Sequence, residues 1–290
     1  MEPITSPQNS ISSPQNSITS LQNPLVKRLV ALQQKSSERR KAGLFVVEGQ
    51  RELMHCIAAG HMIETVYYCP ALLFAEDRID LHRSNADVDS EALLKAAKSC
   101  VEVSTSVYDK IAYRGGTEGI IATVRPRSLS LEDLLPADGH SPLYVVLESV
   151  EKPGNLGAIL RSADAARVDG VIVCDPLTDL YNPNLIRSSI GAIFTVPTVA
   201  CSSADCIAWM NANGVQILTA QLQDSHLYYD TDMTVPTAIV MGTEATGLTE
   251  QWRKAANAHI RIPMMGHLDS LNVSVSAAIL MFEAVRQRSK

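Results

Sequence analysis

The chain has 290 residues, of which 46% are hydrophobic, enough for one large or two ordinary domains with a substantial core. No apolar run approaches the ~20 residues that cross a bilayer, and no basic-then-apolar leader opens the chain, so we expect a soluble, cytosolic protein. The net charge of −6 excludes a uniformly basic protein, so any phosphate-binding surface must be a local patch.

The N-terminal segment, residues 4–24, repeats with a period of seven and is rich in Ser, Gln and Asn. Pro7 and Pro14 interrupt any helix there, and the polar residues offer no core. We therefore expect residues 1–22 to form a disordered tail.

A helix is predicted over residues 24–41, because Asn23 can cap it, Pro24 suits its first position and Gly43 can end it. Its predicted apolar stripe consists of Leu25, Leu29 and Leu32. The same segment is the most basic part of the chain, which fits either a phosphate-binding patch or an ordinary solvated helix face. The basic residues are Lys27, Arg28, Lys35, Arg39, Arg40 and Lys41.

Short strands and helices alternate after this helix. The predicted strands are 44–47, 65–69, 101–103 and 119–124, and the predicted helices are 50–59 and 90–97. This alternation indicates a small α/β domain over residues 23–125. Residues 126–142 contain three prolines and little regular pattern, so they are predicted to be a linker.

The second domain, residues 143–290, has a stronger α/β pattern. Its predicted strands are 143–148, 171–175, 198–200, 215–220 and 237–242, and its predicted helices are 156–167, 184–190, 204–213 and 271–287. Parallel strands joined by helices bind ligands beyond their carboxyl ends, so the strand-to-helix loops are the candidate sites.

The first candidate loop opens the helix at 156–167. Gly154 and Gly157 permit close backbone approach, Asn155 lies where the helix begins, and Arg161 follows within it. The segment lacks the GxGxxG pattern of dinucleotide-binding folds, which argues against a dehydrogenase.

Two further loops have the same character. Gly242 and Gly247 bracket Glu244 after the strand at 237–242, where an acidic residue near a helix start is also common. The apolar residues 262–265 lead to Ser270 and Asn272 at the start of the last helix. Asp269 or Ser270 is the expected cap of that helix, whose broad apolar face is either core or a subunit interface.

In this order, three segments resemble the motifs of the SPOUT superfamily, in particular the TrmH (SpoU) family of RNA ribose 2′-O-methyltransferases. They are NLGAILRSA (155–163), GTEATGL (242–248) and IPMMGHLDSLNVSV (262–275). Residues 23–33 and 45–52 resemble, less specifically, the small substrate-binding domain often fused to this family.

The resemblance implies a knotted α/β methyltransferase domain that binds S-adenosylmethionine in the knot. The residues implied as cofactor contacts are Gly242, Glu244, Ile262, Met264 and Leu271. The residues implied as catalytic are Arg161, Asn155, Glu244, Ser270 and Asn272. Arginine is a poor base, so we assign Arg161 to the adjacent phosphate and the developing alkoxide, and leave proton removal unassigned.

The implied partners are RNA and a second copy of the chain, bound through the C-terminal domain. The candidate RNA contacts are Lys27, Arg28, Arg39, Arg40 and Arg161. The fused N-terminal domain favours ribosomal over transfer RNA, and an inactive RNA-binding assembly factor is the alternative from another class.

No metal is expected. The six cysteines form no CxxC pair, and no Cys/His cluster has zinc-ligand spacing, so buried reduced thiols are predicted. They are Cys56, Cys69, Cys100, Cys174, Cys201 and Cys206.

Overall fold

The computed structural model describes residues 17–75, 90–113, 118–243, 246–267 and 270–289. These residues form one four-stranded and one seven-stranded sheet, which confirms the predicted mixed α/β class. Within the described ranges, every helix is too short or too polar to traverse a lipid bilayer.

The first sheet belongs to the N-terminal domain. It has the order β1-β4-β2-β3, with β2 and β3 parallel and the other pairs antiparallel. The elements are α1 (Pro24–Gln34), α2 (Ser36–Ala42), β1 (Phe45–Glu48), α3 (Gln50–Ala58), β2 (Met62–Tyr68), α4 (Pro70–Leu73), α5 (Ser90–Lys95), β3 (Ser99–Glu102), α6 (Thr105–Ile111) and β4 (Ile120–Arg125).

The predicted helix 24–41 is two helices in the structure. Its ends are as predicted: Asn23 accepts a hydrogen bond from the Leu25 N–H at 2.9 Å, and Gly43 closes α2 at φ +59°. The chain breaks at Lys35, whose backbone is extended. The apolar stripe was predicted wrongly at one position, because Val26 is buried and Leu25 is 41% exposed.

Part of the segment predicted to be disordered pairs with the first sheet. Residues 1–16 lie outside the described residues, but Ile18 forms a parallel bridge with Val103. The Ile18 N–H donates to the Glu102 carbonyl at 2.9 Å, and the Ser104 N–H donates to the Ile18 carbonyl at 3.0 Å. The prediction of disorder up to residue 22 is therefore wrong for Ile18, which adds to the edge of the first sheet.

The predicted linker is anchored to the second domain. It contains a 3₁₀ helix, Leu131–Leu134, whose Leu134 is buried beside Gly170. The Tyr144 hydroxyl donates to the Leu134 carbonyl at 2.9 Å. This segment therefore covers part of the C-terminal core.

The second sheet is entirely parallel and has the order β7-β6-β5-β10-β8-β11-β9. Its elements, besides a 3₁₀ helix at Tyr228–Asp230, are β5 (Leu143–Glu148), α7 (Pro153–Ala165), β6 (Gly170–Cys174), α8 (Pro183–Ser188), α9 (Ala192–Thr195), β7 (Thr198–Cys201), α10 (Ser203–Ala212), β8 (Gln216–Ala220), β9 (His226–Leu227), β10 (Thr237–Met241), α11 (Glu250–Ala255), β11 (Ala258–Arg261) and α12 (Val273–Arg288).

Alternate residues of these strands pack on opposite faces, as the pleat of a strand requires. In β5, Val145 and Leu147 belong to a core shared with α7, α8, α9 and α12, which we call the α7 face. Tyr144 and Val146 belong to a second core with α10 and α11, which we call the α10 face. Both faces of the central strands are thus buried, as expected for a parallel sheet.

The N-terminal domain packs on the α7 side of the C-terminal domain. Phe45 of β1 stacks on Tyr181 with ring centroids 4.2 Å apart. Burial raises the pKa of Tyr181 to about 12, and its hydroxyl donates to the Arg127 carbonyl at 3.0 Å. Nearby, the Arg39 guanidinium lies 2.7 Å from the Asp179 carboxylate, so an ion pair joins the domains.

Candidate active site

A cavity of about 350 Å³ opens at the carboxyl edge of the parallel sheet. The ends of β8, β10 and β11 and the first turns of α12 enclose it, which is where parallel α/β sheets bind ligands. Its volume is in the range of small-molecule sites. The lining residues are Ala220, Gln221, Leu222, Gln223, Met241, Gly242, Thr243, Gly247, Leu248, Arg253, Ile260, Arg261, Ile262, Met264, Ser270, Leu271, Val273, Ser276 and Leu280.

The structure brings the predicted cofactor residues together in this cavity. Gly242, Ile262, Met264 and Leu271 all line it, although they come from different loops of the chain. Glu244 was predicted beside them but lies outside the described residues.

The loop after β10 requires glycine at its first position. A Cβ on Gly242 would lie 2.3 Å from the backbone carbon of Gly247, closer than any real contact. Thr243 and Gly247 pair across the loop, and the Gly247 N–H donates to the Thr243 carbonyl at 3.0 Å. Gly247 itself has φ +68°, which favours glycine. The loop is thus a tight backbone turn at the cavity wall.

The far end of this loop is fixed to the neighbouring strand. Glu148 at the end of β5 is 2% exposed, and its carboxylate accepts from the Thr249 N–H at 2.8 Å and the Thr249 hydroxyl at 2.6 Å. Charge-assisted bonds of this kind hold the loop where β10 and β5 meet.

Two residues that line the cavity each carry a buried polar atom without a protein partner. Gln221 Oε1 and Arg253 Nε make no hydrogen bond within the part of the chain that the structure describes. Buried polar groups of proteins are normally paired, so either side chain would gain a hydrogen bond by rotating toward a polar ligand. Neither residue was predicted as a site residue, although Gln221 directly follows the strand predicted at 215–220.

Asn155 and Asn272 connect the first and third motifs. The Asn272 side-chain amide donates to Asn155 Oδ1 at 3.2 Å. Asn272 also caps α12, because its Oδ1 accepts from the Ser274 N–H at 3.0 Å. The expected cap, Ser270, is therefore wrong, and Asp269 lies outside the described residues. The starts of α7 and α12 are thus joined beside the cavity.

Arg161 lies on an exposed part of α7 and is not a lining residue of the cavity. Among the described residues, its guanidinium has no hydrogen-bond or ion-pair partner. Gly157, one turn earlier, is needed for packing, since an added Cβ would lie 2.8 Å from the Ser188 backbone. This close approach of α8 to α7 fixes the direction of the helix that carries Arg161.

The basic side chains of the N-terminal domain that were predicted to bind RNA differ in their exposure. Lys27, Arg28 and Arg40 are exposed. Arg39 is only 6% exposed, and besides Asp179 it donates to the Leu32 carbonyl at 2.7 Å. The predicted RNA-binding role of Arg39 is therefore not supported, because its guanidinium is buried within the domain junction.

All six cysteines are free thiols. Cys56, Cys69, Cys174 and Cys206 are buried as predicted, whereas Cys100 is exposed and Cys201 is partly exposed.

Helix α12 is not completely covered. Its inner residues, such as Ala277 and Leu280, are buried in the core. Val275 and Phe282 are 48% and 47% exposed, and Leu271 just before the helix is 40% exposed. An apolar strip thus remains on the surface beside the cavity.

Two family models match the chain. Residues 142–282 match the SpoU rRNA Methylase family, and residues 23–122 match the MRM3-like substrate binding domain.

Similar proteins cover most of the chain. The 23S rRNA (guanosine-2′-O-)-methyltransferase RlmB of Vibrio cholerae is 37% identical over 68% of this chain and 81% of its own length. The 23S rRNA (uridine(2479)-2′-O)-methyltransferase of Streptomyces viridochromogenes is 30% identical over 89% and 88%. The AdoMet-bound rRNA methyltransferase structure from Sinorhizobium meliloti is 30% identical, with a TM-score of 0.81 over 93% of this chain and 97% of that one. The chain therefore belongs to the SpoU (TrmH) family of RNA methyltransferases.

Proposed function

We propose that this protein transfers a methyl group from S-adenosylmethionine to a ribose 2′-hydroxyl of ribosomal RNA. The observation that carries the proposal is the cavity at the sheet edge, where the loops that follow β8, β10 and β11 meet. Four of the residues that the motifs assign to the cofactor line it: Gly242, Ile262, Met264 and Leu271.

The cavity suits an adenosyl group with a charged amino-acid end. Ile262, Met264 and Leu271 offer an apolar wall for the adenine. Gln221 and Arg253 line the cavity, and their unpaired side-chain atoms would make polar contacts to the ligand after a small rotation. The glycine at position 242 lets the Gly247 backbone pack against it, which shapes the loop at the cavity wall. We keep Glu244 as a proposed contact on its motif position alone.

S-adenosylmethionine supplies, when bound, an electrophilic methyl group on a positively charged sulfur. Arg161 binds the phosphate next to the target ribose and stabilises negative charge that develops on the 2′-oxygen. Asn155, Ser270 and Asn272 hold the ribose in line with the methyl donor, which supplies part of the rate enhancement. The new C–O bond forms as the C–S bond breaks and leaves a neutral thioether, while the 2′-hydroxyl proton is lost to a group that we leave unassigned.

The N-terminal domain is proposed to bind the RNA around the target nucleotide. Lys27, Arg28 and Arg40 are exposed cations there, and each phosphate contact adds a salt-dependent increment to affinity. Ribosomal RNA is favoured because the relatives from Vibrio and Streptomyces are named for 23S rRNA. A 2′-hydroxyl substrate also excludes DNA.

We further propose a cytoplasmic homodimer. The exposed apolar residues Leu271, Val275 and Phe282 form a strip that a second copy would cover. The trefoil knot implied by the sequence resemblance is proposed for the segment that contains β10, β11 and α12.

The test is methyl transfer by the purified protein from labelled S-adenosylmethionine to ribosomal or transfer RNA. We expect one 2′-O-methylated nucleotide in ribosomal RNA, located by mass spectrometry, and its absence from cells that lack the gene. Methylation of transfer RNA alone would overturn the assignment of ribosomal RNA as the substrate. Calorimetry that detects no S-adenosylmethionine binding would favour the inactive assembly factor.

A further inference from the structure

Three cysteines meet at the other end of the same sheet edge. Cys174 is the last residue of β6 and Cys201 is the last residue of β7, and the parallel pairing places them in register. Cys206 lies in the first turns of α10, which covers this face of the sheet. The three Sγ atoms all lie within 4.8 Å of one another.

Two of the three cysteines are buried, and the third is partly accessible to solvent. Cys174 and Cys206 are completely buried in the core of the α10 face, whereas Cys201 is partly exposed. A ligand of the three thiols would thus be shielded on two sides and reachable from the side of Cys201.

Cysteine binds metals through its sulfur as a thiolate, and three sulfurs this close together can all reach one ion.

The nearby carboxylates have other roles. Asp175 accepts from the Ser203 hydroxyl at 2.6 Å, and that hydroxyl in turn accepts from the Trp252 indole N–H at 2.9 Å. Asp205 accepts from the Ser202 hydroxyl at 2.6 Å at the start of α10. Within the described residues, the cluster thus offers three sulfur ligands and leaves a fourth position to water.

We propose that Cys174, Cys201 and Cys206 bind one thiophilic, closed-shell metal ion of the zinc type. In a tetrahedral site with Zn–S bonds of about 2.3 Å, neighbouring sulfurs lie roughly 3.8 Å apart. The observed upper limit of 4.8 Å requires only small side-chain rotations to reach that spacing. The ion ties the edge strand β7 and helix α10 to β6, so its role is structural.

The site is independent of methyl transfer. Its residues belong to the α10 face, and none of them lines the cavity proposed for the cofactor. Failure of the proposed methyltransferase activity would leave the metal proposal untouched, and the reverse also holds.

The test compares full-length wild type with Cys201→Ser and with Cys100→Ser as the matched control. Cys201 is the least buried of the three, so its replacement is the mildest for folding, and Cys100 is an exposed thiol outside the cluster. Elemental analysis of protein purified with zinc and without chelators should find about one zinc per chain in wild type and control. Occupancy should fall more than tenfold in Cys201→Ser.

A second measurement uses metal-free protein titrated with Cd²⁺. The ultraviolet band of thiolate-to-cadmium charge transfer should saturate at one equivalent in wild type and Cys100→Ser and be lost in Cys201→Ser. Added Zn²⁺ should also raise the Tm of the first two proteins only. Equal metal binding by wild type and Cys201→Ser would overturn the proposal, as would a disulfide within the cluster in freshly isolated, unreduced protein.

Discussion

The two faces of the C-terminal sheet are built from alternate residues of the same strands but are used differently. On the α7 face, helices α7 and α12 bring two polar helix starts together, and the N-terminal domain packs beside them. On the α10 face, Trp209 and Trp252 fill a core closed by helices and the anchored linker. The alternation that buries a strand on both sides therefore places the joined polar helix starts on one face and a tryptophan-rich core on the other.

The sharpest test of this contrast is Gly242→Val at the cavity wall. A side chain there collides with the Gly247 backbone and displaces the loop, so we expect cofactor affinity to fall more than 100-fold. Calorimetry with S-adenosylmethionine measures the loss, and Gly266→Ala is the control, because an added Cβ there meets nothing within 4 Å. Unchanged affinity in the valine variant would place the cofactor elsewhere.

Arg161→Ala should separate binding from turnover. Loss of the guanidinium removes stabilisation of the 2′-oxygen, so we expect kcat to fall by about 10²–10³. Affinity for S-adenosylmethionine should stay within about threefold, since Arg161 does not line the cavity. Arg161→Lys, which retains charge but not the planar fork, should be intermediate. Turnover equal to wild type in the alanine variant would remove Arg161 from the site.

A pair of glycines on α7 tests packing of the same face. Gly157→Ala forces a Cβ against the Ser188 backbone and should cost about 3 kcal/mol of unfolding free energy. Gly154→Ala meets nothing within 4 Å and should be neutral or stabilising by less than about 1 kcal/mol, because alanine favours helix. Urea unfolding measures both. Similar losses in the two variants would contradict the close approach of α7 and α8.

Adjacent arginines test the domain junction. Arg39→Met leaves Asp179, whose side chain is 19% exposed, without its cation, so we expect a loss of about 2 kcal/mol after allowance for that partial exposure. Arg40→Met, at an exposed position, should change stability by less than about 0.5 kcal/mol. RNA affinity should show the opposite order, falling for Arg40→Met because only that side chain is exposed. Weaker RNA binding in Arg39→Met alone would restore Arg39 to the RNA-binding patch.

The smallest effect concerns pH and His140. The ring N–H groups of His140 donate to the carboxylates of Asp138 and Asp169, and these hydrogen bonds, first that to Asp138, raise the pKa of His140 above its usual value. A group with a raised folded pKa contributes stability below its unfolded pKa near 6.5, and that contribution disappears as pH rises through the folded value. Wild type should therefore exceed His140→Asn in Tm by a few degrees at pH 5.5, and the gap should close at pH 8.5. A gap that widens with pH would contradict this sign.

Local rules predicted much of the fold from sequence. Asn23, Pro24 and Gly43 act as predicted because capping and left-handed closure depend on neighbouring residues only. The break at Lys35 was missed, since lysine carries no such local signal. The pairing of Ile18 with Val103 was missed because a strand edge attracts a polar tail only through contacts distant in sequence.

In the candidate site, too, some features follow from local sequence and others depend on contacts distant in sequence. The motif residues Gly242, Ile262, Met264 and Leu271 meet as expected because the strand ends of a parallel sheet share one edge. Burial of Arg39 depends on Asp179 in the other domain, and no pattern within the basic segment indicates it. The three-cysteine cluster was likewise hidden, because two of its members become neighbours only through pairing of β6 with β7.

The contact between Asn155 and Asn272 has a mechanical consequence. The Asn272 side chain caps the start of α12 and also donates a hydrogen bond to Asn155 in the first turn of α7. The segment that ends the cavity wall and the helix that carries Arg161 are therefore coupled at their origins. A shift of one helix start would be passed to the other, so the proposed methyl-donor site and the proposed ribose site would move together.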